Sequence, residues 1–304
     1  MKHHVRRIGC MLGLLAVLAG GCMTGKSKPA GEPMDPELLR AADAAHAAYM
    51  AGSLNTAIEL YGIALKRARL MDNGVEIARN AYNLAVCQTA AGRLDEGRKL
   101  VRESKLESMP NSFQAGLADL VEAKIMWRKG KTEETVLLLE SAQRAFGTKP
   151  PAHVAAQVHL LFAAVACAGG DLTKAKKEWG TAQDIGFDKD FNLAADAEEI
   201  GARILLRERA YEDAGRQFDR EVDLLRKGGR FSDMATALKD AGEAYEKAGF
   251  YELAADRMFR AGRSRLAAEG KFAAMPWLQR AAALSEKSGN VTLRNRSAEA
   301  LIQE

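Results

Sequence analysis

Residues 20–27, Gly20-Gly-Cys-Met-Thr-Gly25-Lys26-Ser27, follow the spacing G-x-x-x-x-G-K-[ST]. Such a loop cradles phosphates on backbone N–H groups, provided that a strand precedes it and a helix follows. Here Pro29, Gly31 and Pro33 come at once. They leave no room for the helix, and no strand–helix alternation appears downstream. A nucleotide site at Lys26 is therefore not expected. His153 and His159 are six apart and fall on different faces of one helix, so they do not form a pair of metal ligands. Together with His46 they are expected to be surface or groove histidines. Glu133-Glu134, Glu198-Glu199 and Asp188/Asp190 are expected to be solvated faces or helix caps. No Ser-His-Asp or Cys-His arrangement carries a recognisable local signature. The chain is expected to be no enzyme, with no metal site and no cofactor.

The segment that holds this loop is better explained by targeting. Lys2, Arg6 and Arg7 form a basic start, and Leu12 to Leu18 is apolar but too short to cross a bilayer. Leu18-Ala19-Gly20-Gly21-Cys22 follows. The order of basic start, short apolar core, small residues and cysteine resembles a bacterial lipoprotein signal peptide. That resemblance implies cleavage after residue 21 and a lipid on Cys22; an ordinary signal peptide cut after a small residue is the alternative. Residues 22–35 have linker composition and form the expected tether. Met23, where aspartate would signal retention at the inner membrane, implies the outer membrane, facing the periplasm, if the source is Gram-negative.

Of the formal net charge of +4, three charges lie on Lys2, Arg6 and Arg7. The basicity thus belongs largely to the front end, and nucleic acid is not an expected partner. Cys87 and Cys167 lie on helices two repeats apart, beyond disulfide reach, and are expected to be buried small hydrophobes.

What positions everything after residue 36 is a repeat. A turn residue returns at Gly52, Gly92, Gly130, Gly170, Arg209, Gly249 and Gly289. Seven positions before each stands a small residue: Ala45, Ala85, Ala123, Ala163, Ala202, Gly242 and Ala282. Five after the turn come Ala57, Gly97, Thr135, Ala175, Ala214, Ala254 and Arg294. Twelve after come Ala64, Ser104, Ala142, Ala182, Glu221, Ala261 and Leu301. A large residue nine after the turn fills the groove that the small ones leave. Spacings of three and four mark helix faces, and a constant interval of 38 to 40 residues marks a stacked solenoid. Asp35-Pro36-Glu37 reads as a helix start, and Pro276 is placed in a loop or a first helical turn. Arg294 breaks the pattern in the last repeat, as a polar cap would.

Residues 51–65 (Ala-Gly-Ser-Leu-Asn-Thr-Ala-Ile-Glu-Leu-Tyr-Gly-Ile-Ala-Leu) match the tetratricopeptide repeat (TPR) pattern best, and the chain resembles that family over roughly residues 37–303. The resemblance implies an all-α fold: a TPR-like right-handed α-solenoid of about seven helix-turn-helix repeats over residues 36–304, with a period near 40 instead of near 34. It also implies that the first helices of the repeats line a concave groove. Carrying the groove offsets across gives Tyr49, Tyr82, Asn83, Leu117, Lys124, Trp127, Arg128, Arg203 and Arg207. The competing expectation for the aromatics is inter-repeat packing. The lysine-asparagine clamp with which some TPRs hold a C-terminal carboxylate is not reproduced.

These readings together point to a lipid-anchored envelope scaffold that holds a partner protein or peptide in its groove. A self-assembling structural protein is the second reading, and a nucleotide binder or enzyme using Lys26 the third.

Overall fold

A computed structural model describes residues 35–187 and 190–302. The signal segment, Cys22, Lys26 and the tether up to residue 34 lie outside the described residues, as does Asp188. Among the described residues there are fourteen helices and no strand. The first helices of the repeats are α1 (Pro36–Met50), α3 (Gly74–Ala90), α5 (Phe113–Arg128), α7 (Ala152–Gly169), α9 (Phe191–Arg207), α11 (Phe231–Ala248) and α13 (Lys271–Ser288). The second helices are α2 (Leu54–Leu70), α4 (Leu94–Leu106), α6 (Thr132–Phe146), α8 (Leu172–Ile185), α10 (Tyr211–Lys227), α12 (Tyr251–Glu269) and α14 (Val291–Ile302). The chain divides into two compact units, Met1–Val154 and Ala155–Glu304.

All seven turn residues have positive φ, from 64° at Arg209 to 87° at Gly170. In each turn the chain reverses through one left-handed residue. In the first, Gly52 N–H donates to Tyr49 O at 3.0 Å, and Ser53 N–H donates to Ala48 O at 2.8 Å. These bonds satisfy the orphan carbonyls that end α1. The same pair recurs after α3, where Gly92 donates to Thr89 and Arg93 to Gln88. The described chain starts as expected: Asp35 Oδ1 accepts from Glu37 N–H at 2.8 Å, with Pro36 at the first helical position.

The small-residue slots are the contact surfaces. In unit 1, Ala45, Ala85, Ala123, Ala57, Ala64 and Ala142 are fully buried. Between them sit Tyr61, Val101 and Leu139, the large residues of the second helices. Burying a side chain of this size contributes roughly 1.5–3 kcal/mol, so a helix layer held by several of them needs little help from helix propensity. In unit 2 the same slots hold Ala202, Ala214 and Ala254 around Phe218 and Met258. Gly215 lies beneath the Tyr245 ring, where an added Cβ would come within 2.8 Å of a ring carbon. α7 contains no Asp, Glu, Lys or Arg and is long and apolar enough to cross a membrane, yet two-thirds of it is buried in the protein, as in a core helix.

Two expectations on the last repeats need correction. Pro276 lies inside α13, at its sixth residue, not in a loop or the first turn. The backbone N–H it lacks would have bonded Phe272 O. Phe272 is 90% exposed, so water can serve that carbonyl instead. Ala282 is only half-buried, and the closely packed position is its neighbour Ala281. Beyond it α14 buries Leu293 and Ser297 and packs Ala300 and Leu301 partly buried against the core.

Candidate functional site

In unit 1, α3 and α5 are buried on nearly all faces. Tyr82, Asn83, Leu117 and Lys124 are 5–7% exposed, so these four form the inside of the first-helix layer. Desolvation, with a smaller effect from Tyr49, pushes the Tyr82 phenol far above its ordinary range. Tyr49, Trp127 and Arg128 are half-buried and keep some surface.

Charged groups also lie inside unit 1: Glu76 pairs with Arg79 of its own helix at 2.7 Å, and Asp119 and Glu122 meet partners from another helix. Lys105 of α4 reaches Asp119 at 2.5 Å and Glu122 at 3.1 Å on α5, and Arg98 reaches Glu122 at 3.0 Å. Burial pushes the Glu122 carboxyl up, but Arg98 and Lys105 outweigh it and hold the group below the usual carboxylate range. The pairing keeps a buried carboxylate ionised that would otherwise be costly. Arg128 is tied to structure as well: its Nη1 donates to Thr89 O in the last turn of α3, at 2.5 Å.

In unit 2, Arg203 donates to Glu199 at 2.8 Å and to Asp240 at 3.2 Å. Lys239 holds the same Asp240 at 2.8 Å and Glu243 at 2.9 Å. Arg230 binds Asp196 at 2.8 Å and Asp233 at 2.7 Å. Arg207 is exposed, and its Nη2 donates to Ala168 O at the end of α7. Glu199 is buried and does not belong to a solvated face; Glu198 instead pairs with Arg220 at 3.0 Å. Asp190 caps α9, accepting from Leu193 N–H at 2.9 Å. His159 is half-buried, with Nδ1 2.7 Å from Glu178 Oε2.

Glu221 stands at the centre of this ion network. It is buried on α10, and its Oε2 has no hydrogen-bond partner among the described residues. Burial, then Glu199 and Asp240, push its carboxyl well above the carboxylate range, against Arg203 and Arg230. The repeat pattern holds the signal for it: Glu221 occupies a slot that is Ala64, Ala142, Ala182 or Ala261 in other repeats. The acids that surround it come from α9 and α11, and no local spacing announces them.

Cys87 and Cys167 are buried free thiols. Burial pushes the Cys87 thiol up to about 12. Among the described residues no group of three or more His, Cys, Asp or Glu is placed to hold a metal ion.

These helices and turns define an all-α helical-repeat protein. Among solved structures the chain is similar to the apo form of RapI, with a TM-score of 0.61 and 11% identity, covering 87% of this chain and 75% of that one. It is also similar to a chain of the APC/C hetero-tetramer Cut9–Hcn1, with a TM-score of 0.52 and 15% identity, over 86% of this chain and 55% of that one. The repeat is TPR-like in its two-helix unit and its left-handed turn. No family model matches the chain, and no curated protein matches it.

Proposed function

We propose that this protein is a scaffold that holds a partner protein on its first helices and is anchored to a membrane through a lipid on Cys22. The observation that carries the binding role is the placement of Tyr49 and Trp127. Both are large aromatics on first helices of unit 1, and both keep solvent-accessible surface while the neighbouring Tyr82 and Leu117 are buried. Half-open aromatics beside a rigid packed layer are the usual anchors of a protein interface. Buried Tyr82, Asn83, Leu117 and Lys124 would support that surface from within. Arg203 and Arg207 give unit 2 a charged contribution of its own. The Cut9–Hcn1 assembly offers a precedent for this fold in a protein complex.

The anchor rests on the order of residues from Lys2 to Cys22. Outer-membrane attachment facing the periplasm is the proposed location, and an envelope protein or peptide the proposed partner. Two experiments separate the parts. Cys22→Ala should abolish labelling by a palmitate analogue and release the protein from membranes; unchanged fractionation contradicts the anchor. Capture of envelope proteins by the parent chain should yield a partner that a folded Tyr49→Ala/Trp127→Ala variant loses. A partner retained by that variant contradicts the groove.

The self-assembling alternative has its own observation. Phe272, Val291 and Ile302 in the last repeats are exposed apolar side chains. Sedimentation velocity tests it: a concentration-dependent oligomer that Phe272→Ser dissolves supports it, and a monomer at all concentrations contradicts it.

A further inference from the structure

We infer that the second helices of unit 2, together with α11, carry a separate binding furrow for an acidic, amphipathic peptide segment of a partner protein. The furrow consists of two cavities flanking α12. One, of about 270 Å³, lies among α10, α11 and α12, with Arg226, Arg260 and Arg263 at its walls over Met234 and Leu238. The other, of about 390 Å³, lies between α12 and α14, with Arg263 and Arg296 over Phe259 and Leu266. Arg263 lines both cavities, which makes them neighbours. Ser264 and Ala267, small residues of α12, keep the ridge between them low.

The charges on this face are unevenly spent. Arg263 and Arg296 have no carboxylate within 4.0 Å among the described residues; their guanidinium carbons lie 5.7 and 4.9 Å from the centre of the Phe259 ring. Phe259 is only 5% exposed, so it acts as a platform that holds both cations in place. Arg226 pairs with exposed Asp223 at 2.7 Å. Arg260 lies 3.6 Å from Asp256, which Arg257 already binds at 2.6 Å. Exposed pairs of this kind are worth about 0–1 kcal/mol and yield readily to a better partner. Glu299 is the one acid among the cavity-lining residues.

Four arginines with rigid or weak tethers, set over an apolar floor, specify the occupant. Arginine presents a planar fork that matches carboxylates. Half-buried Met234 and Leu266 call for apolar side chains between those carboxylates. A bare phosphate would satisfy the rim and leave the floor uncovered, which favours an acidic amphipathic peptide. Its four arginines all stand on second helices and only Met234 and Leu238 on the first helix α11, so it can be tested apart from the first-helix groove proposed above.

The test uses the full chain and a fluorescein-labelled, amidated peptide of Glu and Leu at helical spacing, with a Lys-for-Glu counterpart. Anisotropy should show binding of the Glu peptide alone, weakening as salt is raised. Arg263→Gln/Arg296→Gln should weaken it about tenfold, while circular dichroism shows an unchanged helical fold; both side chains are exposed. Binding of the Lys peptide with equal strength, or no loss in the double variant, overturns the proposal. So does binding of inorganic phosphate or phosphatidylglycerol vesicles through these arginines without binding of the Glu peptide.

Discussion

Arg128 Nη1 donates to the carbonyl oxygen of Thr89 across one repeat, at 2.5 Å, and closes the end of α3 from α5. Arg207 repeats the arrangement in unit 2, donating to Ala168 O at 3.3 Å from α9 to the end of α7. In both cases a cation meets a carbonyl at the negative end of a helix dipole; at Thr89 it adds to the bond from Gly92 N–H. Their first role is thus to join successive first helices. A partner on that layer meets guanidinium groups already fixed in place. Arg128→Met should cost about 1 kcal/mol of stability and the more exposed Arg207→Met about 0.5 kcal/mol. Urea unfolding of each variant measures this, and an unchanged midpoint for Arg128→Met contradicts the role.

Arg209 is the one turn residue of the seven that is not glycine, and its φ is 64°. A side chain in the left-handed region is strained by roughly 1–2 kcal/mol. Glycine removes that strain but adds freedom to the unfolded chain. Arg209→Gly should therefore raise stability by about 0.5 kcal/mol, seen as a higher melting temperature. A lower melting temperature contradicts the reading of this turn.

Glu221 gives unit 2 a pH dependence with a defined sign. Its carboxyl is raised in the folded state by burial, then by Glu199 and Asp240. The folded protein therefore binds this proton more tightly than the unfolded chain does. The resulting stability is fully present below the ordinary value of 4.5 and is lost as pH rises toward the folded value. Glu221→Gln cannot ionise, so it should match the parent in acid and exceed it increasingly above that point. Denaturation across the pH range checks this; a variant that is less stable than the parent at neutral pH contradicts it.

The Cys87 thiol is pushed up to about 12 by burial and is 1% exposed. It should react with a thiol reagent only after unfolding, at least a hundredfold more slowly than a free cysteine at pH 8, given the ordinary thiol value near 8.5. Rapid labelling of the native protein at this position contradicts its place in the core.

The repeat was legible in the sequence because it depends on local geometry. A left-handed turn needs glycine almost every time, and a close helix contact needs Ala or Gly. Gly52, Ala45 and Ala57 thus announce their roles by type and spacing alone. Pro276 misled because it tolerates the second turn of a helix where the carbonyl it orphans reaches water. Tyr82 met the competing expectation of inter-repeat packing, but the burial of Asn83, Leu117 and Lys124 was not legible for a different reason. An offset within a repeat defines a face of a helix, but the cover over that face comes from other helices. The ion pairs are likewise non-local: Lys105 meets Asp119, and Arg203 meets Asp240. Glu221 was visible only as an odd residue in a slot for alanine.

The most direct test of the scaffold reading is photo-crosslinking in the native cell, with p-benzoylphenylalanine in place of Trp127 and, separately, in place of Leu137. Leu137 is 65% exposed on α6, a second helix of the same unit, and serves as the control. A partner held on the first helices predicts a discrete protein adduct from position 127 and none from position 137. No adduct from position 127, with the protein present and folded, contradicts the account.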